Sequence, residues 1–356
     1  MRIAFMGDYS ALYYNIAIGL RKLGHTVDIY NGEDSYKKVS GSVKDRYMNR
    51  TNSRIIGKVV SFMNLYDKIA KIENYDIVQF IGPTVFMRPF NYILCSAIIR
   101  KSKKCFMSSA GNCYHVQRAY LEGKYKYYMF DGLDYFKGNK LNESLLWNEK
   151  MEKKLADKFD GVIPISWEYA KAFEAHSNLT RGIQIGVDLE RTEYKENIVH
   201  DKIIIFHGVT REGVKGTYLI KPAMERLQKK YPDKVECIVD GKMPLMDYLQ
   251  LMQKTNIVID QCKCLSWGVN AVYAMAQGKV VMSGAEPEAK EYFDSADDCP
   301  IINILPDTDD IYNKLEELVL NPDKIYDLGK AGRTYVEKHN DCMNIARQYL
   351  DVWSGC

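Results

Sequence analysis

Apolar residues fall along the chain in short continuous runs, separated by longer stretches where they recur every three or four positions. "RIAFMG", "TVDIY", "YDIVQFIG", "KKCFMSSAG" and "DGVIPIS" read as strands of a first half. "NIAIGLRKLG", ending at Gly24 as C-cap, "FNYILCSAIIRK" and "NESLLWNEKMEKKLADKF" read as the helices between them. A second alternating set begins after Gly186: strands "KIIIFHG", "VECIVDG", "NIVIDQC" and "KVVMSG". Its helices run through "IKPAMERLQKKY", "LMDYLQLMQK", "NAVYAMAQ", "DIYNKLEELVL" and "CMNIARQYLDVW". Runs such as "IIIF" and "IVID" lack polar alternation, as expected of parallel strands covered on both faces. The pattern predicts an α/β protein of two doubly wound, Rossmann-like domains facing across a cleft, residues 1–186 and 187–340. Residues 341–356 form a final helix that is expected to pack back toward the first domain. A ligand is expected between the domains, at the carboxyl ends of the strands.

The length of 356 residues suits two such domains, and 46% hydrophobic with 27% charged residues is the balance of a soluble globular chain. A net charge of +3 makes no case for a nucleic-acid partner. Met1-Arg2 runs straight into a strand, and no apolar run approaches the ~18 residues of a membrane span, so a cytoplasmic protein is expected. The nine cysteines are scattered and odd in number, which points to reduced thiols. Cys262 and Cys264 form a lone C-x-C and read as structural, and no metal site is expected. One segment, residues 37–71, is strongly basic with interleaved apolar residues. It reads either as a solvated helix face or as a peripheral contact with an anionic membrane surface or a pyrophosphate-linked lipid.

Candidate chemistry sits in strand-to-helix loops. The first, "MGDYSALYYN", lacks G-x-G-x-x-G, which argues against a dinucleotide cofactor. Gly7, Asp8, Tyr9 and Ser10 there are candidate acceptor contacts. The loop "FHGVTREGVKGTYL" presents Arg211 and Lys215 before a helix that opens at Gly216, two cations suited to a diphosphate and to charge developing on its departure. His207 and Gly208 end the strand before it. In "CLSWGVNAVYAMAQGKVVM", Trp267 precedes Gly268, Val269 and Asn270, whose backbone amides open a helix toward the same anion. In "FMSSAGNCYH", Asn112 and His115 follow a strand expected to end at the cleft.

Three of these segments together resemble the C-terminal domain of GT-B fold glycosyltransferases, specifically the retaining family 4-like group. "IQIGVDLERTEY" is similar to the family's I-P-N-G-V-D-x-x-x-F linker. The Arg211/Lys215-Gly216 loop is similar to its G-R-…-K-G clamp, and "SWGVNAVYAMAQGKVVM" to E-G-F-G-x-x-x-x-E-A-M-A-x-G-x-P-V-V. The resemblance implies transfer of a sugar from a nucleoside diphosphate sugar, a UDP-sugar being favoured, to a hydroxyl of a glycan or lipid-linked glycan, with retention. It implies no cofactor and no metal, and a setting in surface polysaccharide or glycoconjugate synthesis. Arg211, Lys215 and His115 become the catalytic candidates. The family's two glutamates around this loop are replaced by Leu265 and Tyr273. Tyr273 is left as a candidate ribose contact, and Asp260, Glu286 and Glu288 as substitutes on the sugar. Two other readings stand beside transfer: a nucleotide-sugar epimerase or hydrolase, and a non-catalytic nucleotide- or glycan-binding partner protein.

Overall fold

The computed structural model describes residues 1–30, 72–86, 90–132, 143–209, 212–241 and 243–355. The basic segment 37–71 and Arg211 lie outside the described residues. Strands β1 (Arg2–Met6), β2 (Thr26–Tyr30), β3 (Ile77–Phe80), β4 (Lys104–Ser109) and β5 (Gly161–Pro164) form one sheet in the order β2-β1-β3-β4-β5. A second sheet holds β6 (Ile203–Gly208), β7 (Val235–Asp240), β8 (Ile257–Ile259), β9 (Val280–Ser283) and β10 (Ile302–Asn303), in the order β10-β9-β8-β6-β7. Every pairing is parallel. Numbered within its own half, each sheet runs 2-1-3-4-5, so strand order reverses between its first and third strands. That reversal opens a crevice at the carboxyl ends of β1 and β3 in one sheet and of β6 and β8 in the other.

Both faces of each sheet are covered, which explains the unbroken apolar runs. In β1, Ile3 and Phe5 point into one buried cluster with Leu12 and Ile16, while Ala4 and Met6 point into the opposite one with Val78, Phe80 and Leu94. The first of these clusters continues into the second domain through Trp267, Ala271 and Ala274. The second sheet's far face packs Ile205, Ile257, Ile259 and Met282 against Ile220, Leu227 and Leu315.

The last helix, Cys342–Gly355, returns to the first domain. It crosses the helix Leu12–Lys22 so closely that a side chain at Gly19 would overlap the Cys342 carbonyl. Trp353 donates its indole N–H to Gln79 Oε1 at 3.0 Å, and Lys104 Nζ donates to the Trp353 carbonyl at 3.0 Å. The described helices include none long and apolar enough to cross a membrane. The eight described cysteines are all free thiols.

One long element falls outside the sequence reading: the helix Asp323–His339 of 17 residues. Gly329 and Gly332 interrupt its pattern, because the helix lies directly on Val269–Ala276 and the turn after it. A Cβ at Gly332 would sit 3.3 Å from Met275 side-chain carbons, and one at Gly329 would fall 2.3 Å from the Gly278 carbonyl oxygen.

Helix propensity alone would make Gly329→Ala stabilising by about 1 kcal/mol. The backbone oxygen in its way cannot move as a flexible side chain would. The variant is therefore expected to lose about 1–3 kcal/mol in urea denaturation. A gain in stability would refute this packing.

Candidate functional site

The carboxyl ends of the two sheets face each other across a cavity of about 710 Å³. From the first domain its wall is built by the loops after β1, β3, β4 and β5, including Tyr9, Ser10, Gly82, Asn112 and Ser166. From the second it is built by Val209, Lys215, Gly241 and the segment Asp260–Asn270, except Cys262. Of the residues singled out in the sequence for chemistry, Lys215, Asp260, Leu265, Trp267, Gly268, Val269, Asn270, Tyr9, Ser10 and Asn112 share this lining.

The loop after β1 is bent to serve its helix. Gly7 has φ +82°, and a Cβ there would meet Ile81 at 2.7 Å. Ser10 and Ala11 follow in left-handed conformations, φ 53° and 63°, an uncommon state for two successive non-glycine residues. Asp8 turns inward and accepts the backbone N–H groups of Tyr13 (2.9 Å) and Tyr14 (3.2 Å), capping the helix Leu12–Lys22. Tyr9 is left 46% exposed over the cleft. Gly7 and Asp8 therefore shape the loop, and Tyr9 and Ser10 present it.

On the opposite wall, Lys215 Nζ stands 2.7 Å from Asp260 Oδ1, both side chains being buried. Gly216, at φ +78°, lets the backbone pass Cys262 Sγ, which a Cβ would approach to 2.3 Å. Asn270 Nδ2 adds a long contact of 3.5 Å to the same Asp260 oxygen. Behind Asp260, the helix Val269–Ala276 starts at Gly268 with no side-chain cap. Its first-turn amides lack intrahelical partners and carry the positive end of the helix dipole. A buried lysine and an uncapped helix start thus converge on one wall of the cavity, an arrangement that binds anionic oxygens.

Other candidates lie elsewhere. His207 is fully buried, with Nδ1 2.8 Å from the Ile259 carbonyl and Nε2 2.9 Å from Thr217 Oγ1. It ties β6 to β8 and to the helix start at Thr217, and burial pushes its pKa down to about 4. His115 lies behind the cavity lining, stacked on Phe173 at 4.3 Å, and burial pushes its ring down to about 3. The Tyr273 phenol accepts the Asn15 side-chain amide at 2.8 Å, and the same amide donates to the Gly186 carbonyl at 2.9 Å. That oxygen therefore faces the first domain's helix, and Tyr273 does not line the cavity.

Glu286 accepts hydrogen bonds from Asn303 (2.8 Å), Tyr127 (2.9 Å) and Lys126 (3.1 Å). Burial alone would raise its pKa, but these donors outweigh it and hold the group below the ordinary carboxylate value. Lys126 also pairs with Glu288 at 2.9 Å. Both glutamates are engaged by the first domain and lie outside the cavity lining. Gly208 and Gly216 are likewise outside it.

The sequence reading missed Glu168, on the short helix Trp167–Ala172 after β5. Its side chain crosses the cleft: Oε1 accepts the backbone N–H groups of Leu265 (2.8 Å) and Ser266 (2.7 Å), and Oε2 accepts the Ser266 hydroxyl. Leu265 itself is buried in the first domain's core cluster. The only signal in the sequence is a carboxylate just past the end of a predicted strand, in "PISWEY".

Residues 209–351 match a family model described as glycosyl transferase-like. Among curated proteins, none matches the chain at a significant level. Among solved structures, the chain is similar to the sucrose-phosphate synthase of Thermosynechococcus elongatus, with TM-score 0.68 and 15% identity over 100% of this chain and 98% of that one. It is also similar to Anabaena HepE in complex with UDP and glucose, with TM-score 0.65 and 14% identity over all of both chains. The UDP-GlcNAc 2-epimerase of Neisseria meningitidis, bound to UDP-GlcNAc, superposes with TM-score 0.57 and 12% identity over all of both chains. Together with the two five-stranded parallel sheets, these likenesses establish the GT-B fold.

Two outcomes are expected. In Glu168→Ala, the amides of Leu265 and Ser266 regain partners only if water enters, so the cleft should open and the radius of gyration in small-angle scattering should rise. Glu168→Gln should stay close to the wild type, and an unchanged radius in both variants would refute the tether. His207 is neutral when folded but titrates near 6.5 when unfolded, so its contribution to stability is complete above pH 6.5 and is lost as pH falls toward 4. His207→Gln should remove about 3 kcal/mol of that loss from the stability-versus-pH curve over this window.

Proposed function

We propose that the protein is a glycosyltransferase that moves a sugar from a nucleoside diphosphate sugar to a hydroxyl of a glycan or lipid-linked glycan. The observation that carries this reading is the convergence of Lys215 and the uncapped helix start at Gly268 on one wall of the interdomain cavity. The glycosyl transferase-like match over residues 209–351 includes both elements. A UDP-sugar is the favoured donor, since the HepE and epimerase structures carry UDP or a UDP-sugar.

In this reading the donor diphosphate lies against the amides of Gly268, Val269 and Asn270, and Lys215 reaches it from beside Asp260. As the bond to the sugar breaks, negative charge grows on the diphosphate, and these fixed groups stabilise it without reorganising. Asp260 keeps Lys215 oriented and is near enough to accept a donor hydroxyl. Arg211 would add a second cation. The acceptor enters along Tyr9, Ser10 and Asn112, where the exposed Tyr9 ring offers an apolar face with a polar edge to a sugar. The two walls together exclude water, which favours transfer over hydrolysis.

Retention of configuration, the absence of a metal at the diphosphate and a role in surface polysaccharide or glycoconjugate synthesis rest on the family resemblance. A cytoplasmic site of action, with peripheral membrane contact through residues 37–71, belongs to the same proposal.

The likeness to a UDP-GlcNAc 2-epimerase favours one second reading, turnover of the nucleotide sugar itself. The two separate cleanly, because only the second consumes donor when no acceptor is present.

Thermal shift against UDP-, GDP-, CDP- and ADP-sugars should rank the donors, a ligand at ~100 times its Kd stabilising by about 2.7 kcal/mol. Lys215→Ala should reduce transfer by a factor of roughly 10²–10³, about 2.7–4 kcal/mol of transition-state stabilisation. Wild-type rates from this variant, once its folding is verified by circular dichroism, would sink the assignment.

A further inference from the structure

At the back of the first domain's wall, three side chains of metal-ligating type meet away from Lys215 and the Gly268 helix start, Cys113 at the cavity lining and His115 and Glu152 behind it. Cys113 and His115 flank Tyr114 at the start of the helix Tyr114–Leu121, and Glu152 reaches them from the helix Glu143–Ala156. One ligand atom from each lies within 4.8 Å of the other two. All three residues are buried, at 5%, 6% and 2% exposure.

The imidazole of His115 is the informative member. Neither ring nitrogen has a hydrogen-bond partner among the described residues. Its faces and edges are occupied by Phe173, His176 at 5.0 Å and Tyr114 at 5.6 Å, so ring packing holds it in place. Buried polar nitrogens are normally paired, and an orphaned one asks for a partner. Glu152 is fixed independently: Oε2 accepts the Tyr114 backbone N–H at 2.8 Å and Oε1 the Thr84 hydroxyl at 3.2 Å. A carboxylate oxygen carries two lone pairs, so one that accepts a hydrogen bond can also ligate a metal.

We propose that Cys113, His115 and Glu152 form a site for one zinc-type divalent cation, with a water as fourth ligand. One sulfur, one nitrogen and one oxygen donor suit zinc or cobalt and are poor for magnesium or calcium, which take oxygen ligands. Metal bonds of 2.0–2.3 Å in a tetrahedron place ligand atoms about 3.3–3.8 Å apart, so side-chain adjustments of about an ångström close the site. Binding releases the Cys113 thiol proton to solvent. The thiolate and the Glu152 carboxylate then balance the charge of the ion, and one His115 nitrogen gains its missing partner. The ion would staple the cavity-lining loop Ala110–Cys113 to the helix Glu143–Ala156. It acts on the shape of the wall and takes no part in the proposed transfer, so the site stands or falls separately from that reading.

The test uses the full-length, tag-free protein. Purified without chelator, it should carry about one zinc per chain by elemental analysis. After chelation and dialysis, added Co²⁺ should produce a thiolate-to-cobalt charge-transfer band that saturates at one equivalent. Cys113→Ser should abolish that band. His115→Phe, which preserves the ring stack on Phe173 and so the fold, should weaken Co²⁺ binding about 100-fold or more. Folded wild-type protein that retains no zinc and gives no cobalt band would overturn the proposal. So would a band that persists unchanged in both variants, since it would then arise at another cysteine.

Discussion

The carboxylate of Glu168 joins the two halves of the cleft. It leaves the first domain, crosses to the second, and accepts the backbone of the loop that leads into the Gly268 helix start. Leu265, beside those amides, is buried in the first domain's core. The helix Val269–Ala276 is therefore positioned by both domains at once. Further links run the same way: Lys126 and Tyr127 to Glu286, Asn15 to Tyr273, and Lys263 to the Asp131 carbonyl. Each is modest alone, but they act at one interface, and opening the cleft exposes all of them together.

The same economy governs the electrostatics of the wall. Lys215 is buried, and a buried ammonium without a counter-charge would cost several kcal/mol. Asp260 supplies the counter-charge and holds the lysine rigidly beside the helix start. Under the proposed function, an arriving diphosphate would meet a cation whose desolvation has already been met by folding. Glu168, the other carboxylate on the wall, has its oxygens taken up by two amides and a hydroxyl of the facing loop.

Much of this architecture was legible in the chain. Continuous apolar runs marked the long strands because both sheet faces are covered, and loop chemistry at strand ends marked Lys215, Asp260 and the Gly268–Asn270 segment. Local pattern failed where tertiary contact decides. The helix Asp323–His339 was missed because Gly329 and Gly332 look like breakers, whereas they are the residues that permit close approach to Gly278 and Met275. The two-residue β10 and the short helix Trp167–Ala172 carry too few residues to show a period. His207 and Asp8 looked ligand-facing because they sit at strand ends. Both are turned inward, one to join two strands and a helix, the other to cap a helix.

Tyr273 shows why substitution at a familiar position can alter geometry as well as chemistry. A glutamate at its place would present two acceptor oxygens and a negative charge to Asn15 and the Gly186 carbonyl region. The phenol instead accepts one amide proton while its ring packs against the shared apolar cluster. The position thereby joins the interface between domains and gives up the cavity. Leu265, on the other side of the loop, stays in the cavity lining but presents no carboxylate there, its side chain being buried with the first domain's core. Both positions now serve the contact between the domains, Tyr273 from outside the cavity and Leu265 from its edge. Asp260 and Glu168 are then the carboxylates that remain on the cavity wall, one bound to a lysine and the other to the loop backbone.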